Sequence, residues 1–168
     1  LKKILLLSDT HNYLDEPILR HASEADEVWH AGDIGTISIT DRLEALTTVR
    51  AVYGNADDHV VRMTHPYEQE FIVEELKVYM VHIGGYPPRY IPEVKKALSE
   101  KKPGLFICGH SHILKVMRDS SLNLLHMNPG AAGIQGFHKV RTMLRFKVSQ
   151  GKILEPEVIE LGQKGKSA

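Results

Sequence analysis

The sequence holds a single cysteine, Cys108, in 168 residues. One thiol cannot close an internal disulfide, so the fold must stand without one, which suits a reducing compartment. An excess of charge is also missing, since 21 acidic residues balance 21 basic ones. With no overall basic field to gather a polyanion, composition indicates no nucleic-acid patch and no pull toward an anionic membrane. Long apolar runs are absent as well. Stretches such as Ile4-Leu5-Leu6-Leu7 fall far short of the roughly 20 residues a bilayer span needs, and the first residues carry no signal-peptide pattern. A soluble protein is expected, with the cytoplasm as its compartment.

Hydrophobic residues make up 42% and charged residues 25% of the chain, a balance typical of folded globular proteins rather than disordered ones. The length matches one domain. It is expected over residues 1–161, without internal repeats, followed by a disordered tail over 162–168.

Lys3–Leu7 reads as a buried strand that runs straight into Ser8-Asp9-Thr10-His11. The spacing of Ile18, Leu19, Ala22 and Ala25 predicts a helix over Asp15–Ala25, with Asp15 as N-cap and Pro17 in the first turn. The pattern repeats: a strand at Glu27–His30 ends in Gly32-Asp33, a helix follows at Ser38–Leu46, and a strand at Val49–Tyr53 ends in Gly54-Asn55. Such alternation predicts a largely parallel sheet with crossover helices. Further on, Glu70–Val73 and Lys77–His82 read as paired strands about a tight turn near Glu75, and Pro92–Lys101 as the last clear helix. Gly104–Cys108, Leu114–Arg118, Leu122–Met127, Val140–Val148 and Lys152–Leu161 complete a strand-rich second half, so a second sheet stacked on the first is expected.

The polar residues keep falling at strand C-termini, where α/β sheets build their ligand sites. Asp9 and His11 are two apart, and extended geometry would aim both to one side. His110 and His112 repeat that spacing after Gly109, whose freedom would allow a sharp turn. Asp33, Asn55 and His82 close three other strands. Singly, each has an ordinary reading as a turn, a cap or a packed histidine. Together they supply three carboxylate or amide oxygens and four imidazoles. Such a mixed set suits two divalent ions, manganese first, with iron, zinc, nickel and cobalt as alternatives. Two ions roughly 3.5 to 4 Å apart would activate a bridging hydroxide as nucleophile toward phosphorus. One carboxylate must bridge them, and Asp33 is the natural candidate.

In this order, Asp9-Thr10-His11, Gly32-Asp33, Gly54-Asn55, His82 and Gly109-His110-Ser111-His112 resemble the motifs of the calcineurin-like metallophosphoesterases, best the small bacterial and archaeal phosphodiesterase branch. The likeness runs from Leu5 to about Ala131 and includes Asn128-Pro129-Gly130-Ala131, similar to the family's Asn-Pro-Gly-Ser turn. The resemblance implies an α/β fold, a four-layer α/β/β/α sandwich of two stacked mixed sheets flanked by helices. It implies that Asp9, His11, Asp33 and His112 hold one metal and that Asp33, Asn55, His82 and His110 hold the other, with Asp33, Asn55 and His82 as the catalytic set. The activity implied is metal-dependent hydrolysis of a small phosphoester, a phosphodiester before a phosphomonoester. The alternative is a non-catalytic protein-binding module, the use that the retromer subunit of this fold makes of it. The implied partners are thus a small substrate or another protein, with a homo-oligomer left open.

Two departures from the family pattern stand out. Many relatives carry a proton-donating histidine after the Gly-Asn pair, where this chain has Ala56; His59 is a candidate replacement. The usual Gly-His after the His82 position is replaced by Ile83-Gly84-Gly85-Tyr86-Pro87-Pro88-Arg89, a loop expected to face substrate, with Tyr86 and Arg89 as candidate contacts. His30 and His126 are expected to support the loops, and Asn128-Pro129-Gly130 to form a turn that shapes the site wall. His21, His65 and His138 follow no pattern.

Overall fold

The structure, a computed structural model, describes residues 1–165. Strand β1 (Lys2–Leu7) is apolar over four consecutive residues because both of its faces are covered. Ile4 and Leu6 join one core cluster, and Leu5 and Leu7 join another on the opposite face. Helix α1 (Glu16–Ser23) is capped by Asp15, whose side chain accepts from the Ile18 amide at 3.3 Å. Then come β2 (Glu27–His30), α2 (Ser38–Glu44) and β3 (Thr48–Ala51). β3 ends short of the expected Tyr53, because the Tyr53 amide donates to the Pro66 carbonyl instead.

Helix α3 (His59–Thr64) was not anticipated. It is six residues long, too short for a periodic signal, and is started by Asp58, which accepts from the Val61 amide at 3.0 Å. Strands β4 (Glu68–Val73) and β5 (Leu76–Val81) form the expected hairpin. Its turn places Glu74 and Glu75 at φ 47° and 70°, the left-handed pair that two-residue hairpins need and that Asn and Gly usually supply. Where only a loop was expected, β6 (Gly85–Tyr86) and β7 (Arg89–Tyr90) make a small hairpin with Tyr86 opposite Arg89. Helix α4 (Pro92–Lys101) has the expected bounds.

Strand β8 (Leu105–Ile107) is followed by β9 (Leu114–Asp119) and β10 (Leu124–Pro129). β10 starts two residues later than expected because Asp119 takes the Ser121 and Leu122 amides into a turn. Asn128 and Pro129 are therefore the last residues of a strand and not a turn; Gly130 alone has a left-handed φ, 73°. Strands β11 (Val140–Ser149) and β12 (Lys152–Gln163) close the chain. Gly162 and Gln163, expected in the tail, pair with Arg141 and Val140. Residues 166–168 of that expected tail lie outside the described residues.

Two five-stranded sheets result, ordered β12-β11-β1-β2-β3 and β4-β5-β8-β10-β9. β1, β2 and β3 run parallel in the first, and β5, β8 and β10 in the second. Antiparallel strands flank both sets. Between the sheets lie Ile4, Leu6 and Trp29 from one side and Val78, Met80, Ile107 and Met127 from the other. The outer face of the first sheet carries α1, α2 and α3 through Ile18, Leu43 and Val61, and that of the second carries α4 through Val94 and Leu98. The layers are therefore α/β/β/α. The C-terminal ends of β1, β2 and β3 and those of β5 and β8 open toward a common region.

Candidate functional site

Asp9, His11 and His112 offer ligand atoms within 4.8 Å of one another, as do Asp33, His82 and His110. The two groups adjoin: Oδ2 of Asp33 is 3.1 Å from His82 Nε2 and 3.5 Å from His11 Nε2. Oδ1 of Asp9 is 3.1 Å from His112 Nε2 and 3.8 Å from His11 Nε2. Asn55 joins the second group through its Oδ1, 3.0 Å from His110 Nδ1. All seven sequence-derived candidates thus come together.

They do so by a route different from the one expected. Asp9, His11, Asp33, His110 and His112 have φ of 56°, 42°, 53°, 70° and 62°, so the i, i+2 pairs are not extended. Left-handed backbone is unfavourable for residues with a Cβ and tends to collect where function requires it. At Asp9, His11 and Asp33 a ladder continued beyond the strands holds it: the Asp9 and His11 amides donate to the Gly32 and Asp33 carbonyls at 2.9 and 3.0 Å. Gly109 is likewise needed for space and not for a turn. A Cβ there would lie 2.1 Å from Ser8 Oγ and 2.8 Å from Asp9 Oδ2, and one at Gly54 would lie 2.2 Å from Asp33 Oδ1.

Each buried carboxylate gives one oxygen to the scaffold and one to the cluster. Oδ2 of Asp9 accepts from the Ser8 hydroxyl at 2.6 Å and the His110 amide at 3.1 Å. Oδ1 of Asp33 accepts from the Ala56 amide at 2.9 Å. Burial works against the Asp33 anion, but the His82 imidazole and the Ala56 amide outweigh it and hold the carboxyl at about 2. For His82, burial opposes the charged ring, while Asp33 and Asp9 pull its pKa above the ordinary value. His110 is lowered by burial and by the neighbouring His82.

The residues fit a bound cation. His82 is 1% exposed, and its Nδ1 donates to the Ala31 carbonyl at 2.7 Å, which leaves a lone pair on Nε2 facing the cluster. That buried Nε2 has no partner in hydrogen-bond geometry, although Asp33 Oδ2 is close enough for an ion pair. The close approach with poor alignment suits two ligands converging on one ion better than a hydrogen bond.

Supporting residues surround the cluster. His30 donates through Nε2 to Thr10 Oγ1 at 2.9 Å and accepts the Gly32 amide on Nδ1 at 3.1 Å; full burial pushes it down to about 3, so it stays neutral. Asn128 donates to the Gly109 carbonyl and to Ser111. Asp57 accepts from the Gly54 and Gly35 amides. His138, which follows no sequence pattern, packs edge-on against His112 with centroids 5.1 Å apart; only the return of the chain after β10 brings it there. Tyr86 lies under Lys115, whose Nζ is 4.2 Å from the ring centroid. The Arg89 side chain has no hydrogen bond or ion pair among the described residues, and His59 lies exposed at the start of α3.

The family described as the calcineurin-like phosphoesterase superfamily domain matches residues 3–151. A probable metallophosphoesterase from Methanothermobacter thermautotrophicus is 27% identical over 165 residues, covering 94% of this chain and 91% of the relative. Among solved structures, a novel archaeal phosphodiesterase superposes with a TM-score of 0.72 at 22% identity, over 95% of this chain and 99% of the other. Zinc-complexed Vps29 from Entamoeba histolytica does so with a TM-score of 0.70 at 16% identity, over 94% and 98%. At these identities the structural likenesses concern the fold. With nearly its whole length matched by the family, this chain belongs to the calcineurin-like phosphoesterase superfamily.

Proposed function

We propose that the protein hydrolyses phosphodiesters of small molecules, in preference to monoesters, with two divalent ions of which manganese is the first choice. Asp9, His11, Asp33 and His112 would hold one ion, and Asp33, Asn55, His82 and His110 the other. The observation that carries this reading is the position of Asp33 Oδ2, within 3.5 Å of an imidazole nitrogen from each group. Bound there, the ions would supply Lewis acidity and lower the pKa of water. The chain's own residues have separate tasks. The Ala31 carbonyl fixes the tautomer of His82, and Ser8 and the Ala56 amide fix the carboxylates that face the reaction. The residue after Asn55 offers only a methyl group, so no proton for the leaving oxygen comes from position 56. A single, buried free thiol fits a cytoplasmic setting, and no helix among the described residues is long and apolar enough to cross a membrane.

The Vps29 likeness favours a second reading, in which the same fold docks another protein without turnover. The complete ligand set weighs for catalysis. Manganese-loaded protein should be assayed against aryl diesters, aryl monoesters and cyclic nucleotides, with metal content measured in parallel. Diester turnover that vanishes in Asp33→Ala supports the proposal. Loaded protein that turns over none of them leaves the docking reading.

A further inference from the structure

Beside the ligand cluster, a cleft of about 280 Å³ opens between the β6–β7 hairpin and the loop after β8. Its walls are largely carbon, from Ile83, Ile91, Ile113 and Tyr86. It shares His110 with the candidate cluster and includes the adjoining Gly109 and Ser111, so a phosphoryl group at the cluster would have its next substituent at the cleft mouth. The volume is near the lower end of the roughly 300 to 1,000 Å³ of small-molecule sites. An apolar cavity of about 150 Å³ already admits benzene, so one or two fused rings fit.

Two polar groups narrow the choice of occupant. His126 lines the cleft and is 1% exposed, and its Nδ1 has no hydrogen-bond partner among the described residues. Burial, helped by Lys115, pushes this imidazole down to about 4, so it is neutral at pH 7. Nδ1 itself is closed off, whereas the other ring nitrogen, Nε2, is not closed off and makes no hydrogen bond among the described residues, and leaving it unpaired against a purely aliphatic occupant costs free energy. A heteroaromatic ring can hydrogen-bond to Nε2, and it can also pack beside the Tyr86 ring, over which Lys115 lies.

We propose that this cleft is a subsite for the heteroaromatic substituent of the phosphoester, one or two fused rings in size, with His126 as its hydrogen-bonding partner and Tyr86 as its packing partner. The placement of the phosphoryl group rests on the phosphoesterase reading above; the ring site does not require turnover. The test compares ethylphosphonate with 2-(adenin-9-yl)ethylphosphonate, both non-hydrolysable, on the manganese-loaded protein by calorimetry. The adenine compound should bind about tenfold more tightly. That advantage should drop about fivefold in Tyr86→Ala and in His126→Phe. Tyr86 is 44% exposed, so its variant tests the site even where the histidine variant folds poorly. Equal affinity of the two phosphonates, or an advantage that survives in Tyr86→Ala, overturns the subsite. Methyl and thymidin-5′-yl p-nitrophenyl phosphates provide the second measurement. Turnover of neither diester defeats the phosphodiesterase reading and leaves the phosphonates to judge the cleft. Turnover of both without ring preference counts against the cleft alone.

Discussion

Nε2 of His82 faces Oδ2 of Asp33 at 3.1 Å, and the ring cannot turn away because its Nδ1 is tied to the Ala31 carbonyl. The same carboxylate oxygen is 3.5 Å from His11. A single atom on the loop after β2 therefore stands between a histidine from the β1 loop and one from the end of β5, where the two sheets meet. Asn55, by contrast, reaches only His110.

This difference predicts unequal effects on metal content. Replacing Asp33 with Ala should lower occupancy of both ions and remove nearly all activity, whereas Asn55→Ala should deplete chiefly one. Elemental analysis after saturation checks it, with about two ions per chain expected in the wild type. Equal metal loss in the two variants would rule out Asp33 as the bridge.

Ser8 touches no candidate ion, yet its hydroxyl holds Asp9 Oδ2 at 2.6 Å. Such outer contacts are typically worth about 10- to 100-fold in metal affinity. Ser8→Ala should weaken binding by that order, on top of about 1 to 3 kcal/mol lost from the metal-free fold when a buried carboxylate loses a hydrogen bond. Competition titration against a chelator gives the affinity, and wild-type affinity in the variant would mean that the His110 amide alone suffices to orient the carboxylate.

Much of this was legible in the sequence because strand ends carry the candidate ligands. The apolar run of β1 and the alternation through β3 by themselves place Asp9, Asp33 and Asn55 at one edge of a sheet. What could not be read is the backbone between them. Left-handed conformations at Asp9 and Asp33 are held by the ladder between loops, and the general tolerance of Asp and His for that region does not single these positions out. The demand for glycine at 109 comes from a side chain about a hundred residues earlier in the chain, Ser8. Helix α3 and the β6–β7 hairpin are too short for periodicity to reveal, and His138 reaches His112 only through tertiary packing.

The close approach at Gly109 makes a direct stability prediction. An added Cβ would meet Ser8 Oγ at 2.1 Å, so Gly109→Ala should destabilise the fold by about 1 to 3 kcal/mol, the usual range for overpacking. Urea unfolding measures this, and a loss below about 0.5 kcal/mol would show that the β8 loop yields easily.

Acid should destabilise the metal-free protein before its carboxylates titrate. His30 and His126 are held by burial near 3 and 4, against 6.5 for a free imidazole. Between those values the unfolded chain binds the proton and the folded chain does not, so stability falls as pH falls through 6.5 and below. At pH 5 the loss is about 2 kcal/mol for each histidine. Asp33, folded at about 2 and 3.8 otherwise, adds its loss only below about pH 4. His82 is shifted the other way, so single-site variants are the clean test. His126→Phe should lose less stability between pH 7 and 5 than the wild type loses, and parallel pH curves for the two proteins would exclude His126 as a source of acid lability.

Ala56 leads to the last prediction. Its amide donates to Asp33, a bond that any non-proline residue preserves, so the side chain can be changed without removing that support. With a methyl group there, the leaving oxygen departs without a proton from this position. Esters of acidic alcohols, such as nitrophenyl esters, should then react much faster than alkyl esters. A positioned general acid contributes about 10²- to 10⁴-fold, and it helps poor leaving groups most. Ala56→His should therefore raise kcat/KM for alkyl diesters by up to that range while changing nitrophenyl diesters little, provided that Asp57 or a neighbour orients the ring. The wild-type dependence on leaving-group pKa should be steep, and the variant's shallower. A shallow dependence in the wild type would mean that another group already supplies the proton; His59, exposed at the start of α3, would then be the first residue to replace.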